Sequence, residues 1–165
     1  AGQISIDVDR SNGPGQHNLY VLASIEPFMS SDQADVMFNK SSDGGMHWNT
    51  TPTKVNDDVS PTNTQWFGTM SVAPNGRIDA IWLDTRDHPG SDSSALYYSY
   101  SIDEGTTWSV NERLSDSFNP HIGYPNQDKM GDYFDMISNN AGVHLAWANT
   151  LNLSLIHISE PTRPY

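Results

Sequence analysis

Residues 4–8, Ile4-Ser5-Ile6-Asp7-Val8, alternate apolar and polar side chains with a period of two, which predicts an extended strand with two distinct faces. A turn rich in Gly, Ser and Asn around Pro14 spans 9–16, and a second strand spans 19–23. A loop over 24–33 leads to a third strand at 35–39, and a short fourth is expected at 54–56. Together these make one antiparallel four-stranded unit.

The same order then recurs. Strands are expected at 66–72 and 77–83, joined by the turn Pro74-Asn75-Gly76. A loop at 87–93, a third strand at 95–100 and a short fourth at 112–114 complete the second unit. A third copy starts with strands at 133–138 and 143–147 around a turn at 139–142. Trp82 and Trp147 hold equivalent places, 65 residues apart. No amphipathic helix is evident. A four-stranded unit repeating every 60–65 residues is the signature of propeller blades. The expected fold is all-β, a partial β-propeller of about two and a half blades, at about 1–58, 64–115 and 130–150.

One pattern sits after the third strand of both complete units. Ser41, Asp43, Gly45 and Trp48 match Ser101, Asp103, Gly105 and Trp108 as S-x-D-x-G-x-x-W. Ser and Asp accept hydrogen bonds from nearby backbone N–H groups and hold a tight turn. Gly permits a positive φ. The Trp returns under the turn, where its N–H can reach a carbonyl. The pattern resembles the Asp-box of the bacterial neuraminidase repeat, found in sialidases and related β-propellers. That resemblance implies a structural role on the outer rim, joining the third and fourth strands of a blade, and six blades in the whole propeller. It also implies a secreted, periplasmic or cell-surface protein of bacterial type.

Composition narrows the function. The 165 residues carry a net charge of −12, which excludes an anionic partner such as nucleic acid or an acidic membrane surface. No apolar run is long enough to span a membrane. Cysteine is absent, so neither disulfides nor thiol chemistry contribute. Asp7-x-Asp9-x-Ser11 begins like a calcium loop, but Asn12 stands where that loop needs Gly. The six His show no paired spacing, so no metal and no cofactor is expected. The chain begins at Ala1 without a signal peptide and reads as a piece of a longer protein, whose remaining blades would be its partners. Residues 153–165 lack strand–turn grammar and resemble a translated sequencing adapter, a non-native tail.

Chemistry in a propeller belongs at one end of the central channel. The stretch 119–135 is the richest candidate: Asp128, Asp132 and Asp135 lie close in sequence to Tyr124 and Tyr133. Sialidases use a Tyr nucleophile assisted by a carboxylate. The resemblance therefore implies Tyr133 as nucleophile, with Asp132 or Asp128 as its assistant, and Tyr124 near the substrate. It also implies arginines that hold the sugar carboxylate. Asp84 and Arg86 are two apart on an extended chain and face the same way, so they either fix a loop as a pair or meet a ligand. Arg10, after the first strand, is the other candidate anion holder. Arg77 and Arg113 are expected to be solvated surface. The implied function is an exported sialidase-like glycoside hydrolase that removes a terminal sugar, sialic acid among the options. The alternative is a non-catalytic extracellular propeller that binds glycan or protein.

Overall fold

The computed structural model describes residues 3–26, 32–123 and 128–151, together with the backbone of a short strand at 157–159. All regular structure among these residues is β. Sheet one runs in the order β1 (Ile4–Val8), β2 (Leu19–Ile25), β3 (Asp35–Ser41), β4 (Thr53–Lys54). Sheet two repeats it with β5 (Gln65–Val72), β6 (Ile78–Asp84), β7 (Ala95–Ser101), β8 (Glu112–Arg113). Sheet three holds β9 (Phe134–Ser138), β10 (Val143–Trp147) and β11 (His157–Ser159). Every pairing is antiparallel between neighbours in sequence. Each strand expected from the pattern forms, within two residues at either end. The exception to the expected grammar is β11, which pairs with β10 inside the stretch read as a tail without strands.

Sheet two lies between the other two, and its strand β6 shows why. All seven residues of Ile78-Asp79-Ala80-Ile81-Trp82-Leu83-Asp84 are buried. Successive side chains point to opposite faces. Ile78, Ala80 and Trp82 pack with Tyr20, Leu22, Val36 and Phe38 of sheet one. Ile81 and Leu83 pack with Phe134, Met136, Val143, Leu145 and Trp147 of sheet three. A near-continuous apolar run is what a strand covered on both faces requires. The outer faces carry Ile4 and Ile6 on sheet one and Ile137 on sheet three, all exposed.

The first strands of the three sheets are stitched side by side. Ser5 Oγ accepts from the Met70 N–H at 3.1 Å, and Asp7 Oδ2 from the Val72 N–H at 2.9 Å. One sheet on, Ser71 Oγ accepts from the Ser138 N–H at 3.1 Å. Gln3 donates to the Asp132 carbonyl at 2.8 Å, which draws the starts of β1 and β9 together. Sheets that converge on their first strands and stack face to face form a partial β-propeller.

The two S-x-D-x-G-x-x-W corners are built alike. Ser41 Oγ donates to Asp43 Oδ1 at 2.9 Å and accepts from the Gly45 N–H at 2.9 Å. Ser101 does the same with Asp103 at 2.8 Å and Gly105 at 2.9 Å. The Asp carboxylates accept from the backbone N–H of His47 and of Thr107, both at 2.9 Å. The left-handed turn needs two consecutive positive φ values, at Gly44 (73°) and Gly45 (90°), then at Glu104 (59°) and Gly105 (81°). Glu104 accepts this strained conformation because its carboxylate is held by Asn18, just ahead of β2, at 2.9 Å and by Lys40 of β3 at 3.2 Å. Trp108 meets Phe38 edge-on with ring centroids 5.4 Å apart, while its Nε1 is buried without the expected carbonyl partner.

These corners predict an acid response. The His47 backbone and side chain hold the Asp43 carboxyl at about 2. Burial acts to raise Asp103, but hydrogen bonds from Thr107, Ser101 and Thr106 outweigh it and the net shift is downward. A carboxyl depressed in the folded state stabilises above its unfolded value, about 4, and that stability is lost as pH falls through the folded value. For Asp43 the window is therefore pH 4 to about 2. Asp43→Asn and Asp103→Asn should each flatten the dependence of unfolding free energy on pH in that acid range; profiles parallel to wild type would contradict it.

Candidate site at the open ends of sheets two and three

The corners and the short turns at 73–77 and 139–142 occupy one end of the sheets. The opposite end carries the starts of β5 and β9, the end of β6 and the links that follow β6 and β8. A cavity of about 360 Å³ opens there, between sheets two and three. Thr64, Trp66 and Phe67 from the start of β5 line it with Thr85 after β6. Asp92 comes from the β6–β7 link, Pro120 and His121 from the β8–β9 link, and Lys129, Met130 and Asp132 from the approach to β9.

Its aromatic wall is made by a backbone irregularity. β5 and β6 pair as Trp66↔Leu83 and then Thr69↔Ile81, so Phe67 and Gly68 together oppose Trp82. This is a β-bulge, and Phe67 takes φ 56°, a conformation that non-glycine residues rarely adopt. Gly68 turns its backbone toward sheet one, where its N–H donates to Ser24 Oγ at 3.2 Å. Phe67 swings the other way, 5.4 Å from the Phe134 ring and 4.7 Å from Trp66. Trp66 is fixed by its Nε1–H to Ser94 Oγ at 3.0 Å. No sequence pattern signals this bulge, and reading 66–72 as a regular strand missed both aromatic residues as site candidates.

The polar side chains of the cavity are paired. His121 Nε2 lies 2.7 Å from Asp92 Oδ2, and Lys129 Nζ lies 2.5 Å from Asp132 Oδ1. Of the residues expected from sequence, Asp132 lines the cavity and Tyr133 follows it at the same end, its side chain 87% exposed and outside the lining. Asp128 is exposed beside Lys129 in the same approach to β9. Tyr124 lies outside the described residues. Asp92 and His121 enter from loops far apart in sequence, and only the fold brings them together.

The arginines fall elsewhere. Arg86 donates to Asp84 Oδ2 at 2.9 Å, to Asp57 Oδ1 at 2.6 Å and to Asn111 Oδ1 at 3.1 Å, with its guanidinium 4.4 Å above the Tyr97 ring. Burial acts to lower its pKa, but the Asp84 and Asp57 partners outweigh it and keep the charge firmly in place. Asp84, fully buried, also accepts from Trp82 Nε1 at 2.9 Å and Gln65 Nε2 at 3.2 Å. This geometry is the loop-fixing form of the Asp84–Arg86 pair, tying sheet two to the β4–β5 link of sheet one. Burial pushes the Tyr97 hydroxyl up to about 12, assisted by Asp87. Arg10 follows the end of β1, so it lies at the corner end, pairs with Asp7 at 3.0 Å and cannot share a ligand with Arg86. Arg77 is not solvated surface, as its Pro-Asn-Gly turn suggested. It is 5% exposed, bonds Asp79 Oδ1 at 2.8 Å and donates to the Asn139 and Gly142 carbonyls of sheet three at 3.1 and 3.2 Å. Arg113 is the half-exposed one, on edge strand β8. No metal-binding cluster of His, Asp or Glu forms among the described residues.

No known family model matches the chain, and no curated protein matches it in sequence. Among solved structures it is similar to the leech intramolecular trans-sialidase in complex with 2,7-anhydro-Neu5Ac. The TM-score is 0.54 at 15% identity, covering 96% of this chain and 24% of that one. A protein of unknown function from Dyadobacter fermentans gives a TM-score of 0.50 at 14% identity, covering 79% of this chain and 30% of that one. The chain thus spans less than a third of the length of either. At these identities the likeness is one of fold. It places the three sheets among β-propellers.

Proposed function

We propose that this chain forms part of a glycan-acting propeller, and that the cavity between sheets two and three takes a terminal sugar. One observation carries the reading: Trp66 and Phe67 stand in one cavity with Asp92, His121, Lys129 and Asp132. A sugar presents an apolar C–H face and a girdle of hydroxyls, and an aromatic wall with a few placed polar groups complements both. The bulge that aims Phe67 stores backbone strain, which is tolerated where geometry serves a site. The similarity of fold to a trans-sialidase solved with a bound sugar supports the same reading.

In its enzymatic form the chain is a portion of an exported sialidase-like glycoside hydrolase. Tyr133 attacks the anomeric carbon, and its phenolic proton passes to Asp132 or Asp128. The glycosidic C–O bond breaks, and a carboxylic acid from the remaining blades of the full-length protein gives the leaving oxygen its proton. Water then cleaves the tyrosyl intermediate. Hydrolysis of fluorogenic sialosides and neutral aryl glycosides by the full-length protein tests this. Tyr133→Phe and Asp132→Asn should each reduce kcat by at least ~100-fold. Turnover unchanged in Tyr133→Phe would remove Tyr133 from the mechanism. Glycan binding without turnover is the second reading, favoured by Tyr133 standing outside the cavity lining and by the engagement of Arg86 within the protein. Retention of glycans on an array with no hydrolysis of any glycoside would decide for it.

A further inference from the structure

We infer that the cavity selects an uncharged sugar over an anionic one, an inference that rests on its being the sugar site. Lys129 is the one formal cation of the lining among the described residues, and its ammonium is 2.5 Å from both oxygens of Asp132. His121 is likewise turned to Asp92, at 2.7 Å. A ligand carboxylate could engage Lys129 or His121 only by displacing the protein carboxylate each one faces, exchanging one partner for another without gain. It would also stand beside the displaced negative charge.

Among the described residues no arginine relieves that repulsion. Arg86, at the same end of the sheets, is directed to Asp84, Asp57 and Asn111. Arg10 and Arg77 belong to the far end. A bidentate guanidinium, the group best matched to a carboxylate, is therefore missing from the lining among the described residues. Sugar hydroxyls suit the cavity instead, because they donate to Asp92 and Asp132 while the ring's C–H face lies on Trp66. A like charge within about 5 Å, partly screened by solvent, disfavours an anion by roughly tenfold or more. The chain's net charge of −12 acts in the same direction at longer range.

Binding of the full-length protein to an array carrying neutral, sialylated and sulfated glycans tests this, with Trp66→Ala and the Asp92→Asn/Asp132→Asn double variant in parallel. The expected result is signal on neutral glycans, weakened ~10-fold or more by Trp66→Ala, with anionic glycans gaining ~10-fold in the double variant. The double variant changes only exposed or half-exposed carboxyls, so it reports even if Trp66→Ala fails to fold. Sialylated glycans bound as well as neutral ones, or no gain in the double variant, would overturn the selection while leaving the sugar site standing. Retention of no glycan at all would overturn both.

Discussion

Replacing Arg77 with alanine should lower the unfolding free energy by about 3–5 kcal/mol. The reason is what remains behind. Asp79 is fully buried, and Arg77 Nε bonds its Oδ1 at 2.8 Å, a site it shares with the Tyr98 hydroxyl at 2.7 Å. Asp79 Oδ2 already lacks a hydrogen-bond partner. Without the guanidinium, a carboxylate stays in a low-dielectric interior with one hydroxyl to support it. The Asn139 and Gly142 carbonyls of the first turn of sheet three lose the guanidinium at the same time, Gly142 keeping only the Asn139 N–H. The damage therefore crosses from sheet two to sheet three. Arg113→Ala is the control: its side chain is 43% exposed on an edge strand, and its loss should cost no more than about 1 kcal/mol. Chemical denaturation of the three proteins checks the comparison. Converting the pair to apolar residues, Arg77→Met with Asp79→Leu, should recover a large part of the loss, since an apolar pair avoids the orphaned charge. Equal midpoints for Arg77→Ala and Arg113→Ala would refute the account.

Arg77 also marks the boundary of what residue patterns reveal. The strands were legible because burial on two faces writes itself as apolar runs, as in Ile78-Asp79-Ala80-Ile81-Trp82-Leu83, and because a repeated corner sets the period. An arginine beside Pro74-Asn75-Gly76 carries no comparable mark. Its burial depends on a turn 62 residues later, Asn139, whose position follows from packing of one sheet on the next. Arg86 and Arg10 illustrate the same gap. Sequence places each just after a strand, but β6 and β1 run in opposite senses relative to the cavity, so their ends lie at opposite mouths of the propeller. Asp132 was legible as part of an acid- and Tyr-rich run entering β9. Asp92, His121, Trp66 and Phe67 were not, since a bulge in β5 and two separate links, β6–β7 and β8–β9, assemble them. The candidate site is thus mostly a tertiary object, while the fold is mostly a local one.

Replacing Gly105 with alanine separates two costs that usually travel together. Gly105 adopts φ +81°, and an L-residue forced into that region loses about 1–2 kcal/mol. A Cβ there would also stand 2.5 Å from Phe38 Cζ and 2.7 Å from Cδ1, closer than side-chain carbons approach one another. Phe38 is 2% exposed and wedged between Tyr20 at 5.5 Å and Trp108 at 5.4 Å, so its ring cannot retreat. Overpacking of this kind adds about 1–3 kcal/mol. Gly44 has the same conformational demand at φ +73°, yet nothing lies within 4 Å of the position its Cβ would take. Gly44→Ala therefore carries the backbone cost alone, about 1–2 kcal/mol, and Gly105→Ala should exceed it by the packing cost. A smaller ring-site residue provides the discriminating arm. In a Phe38→Leu background the penalty of Gly105→Ala should shrink toward that of Gly44→Ala, a non-additivity expected only when two residues touch. Denaturant midpoints for the four variants measure it. Equal costs for Gly44→Ala and Gly105→Ala would mean that the second corner does not seat on sheet one through Phe38. The stacking of sheet two on sheet one would then need another anchor.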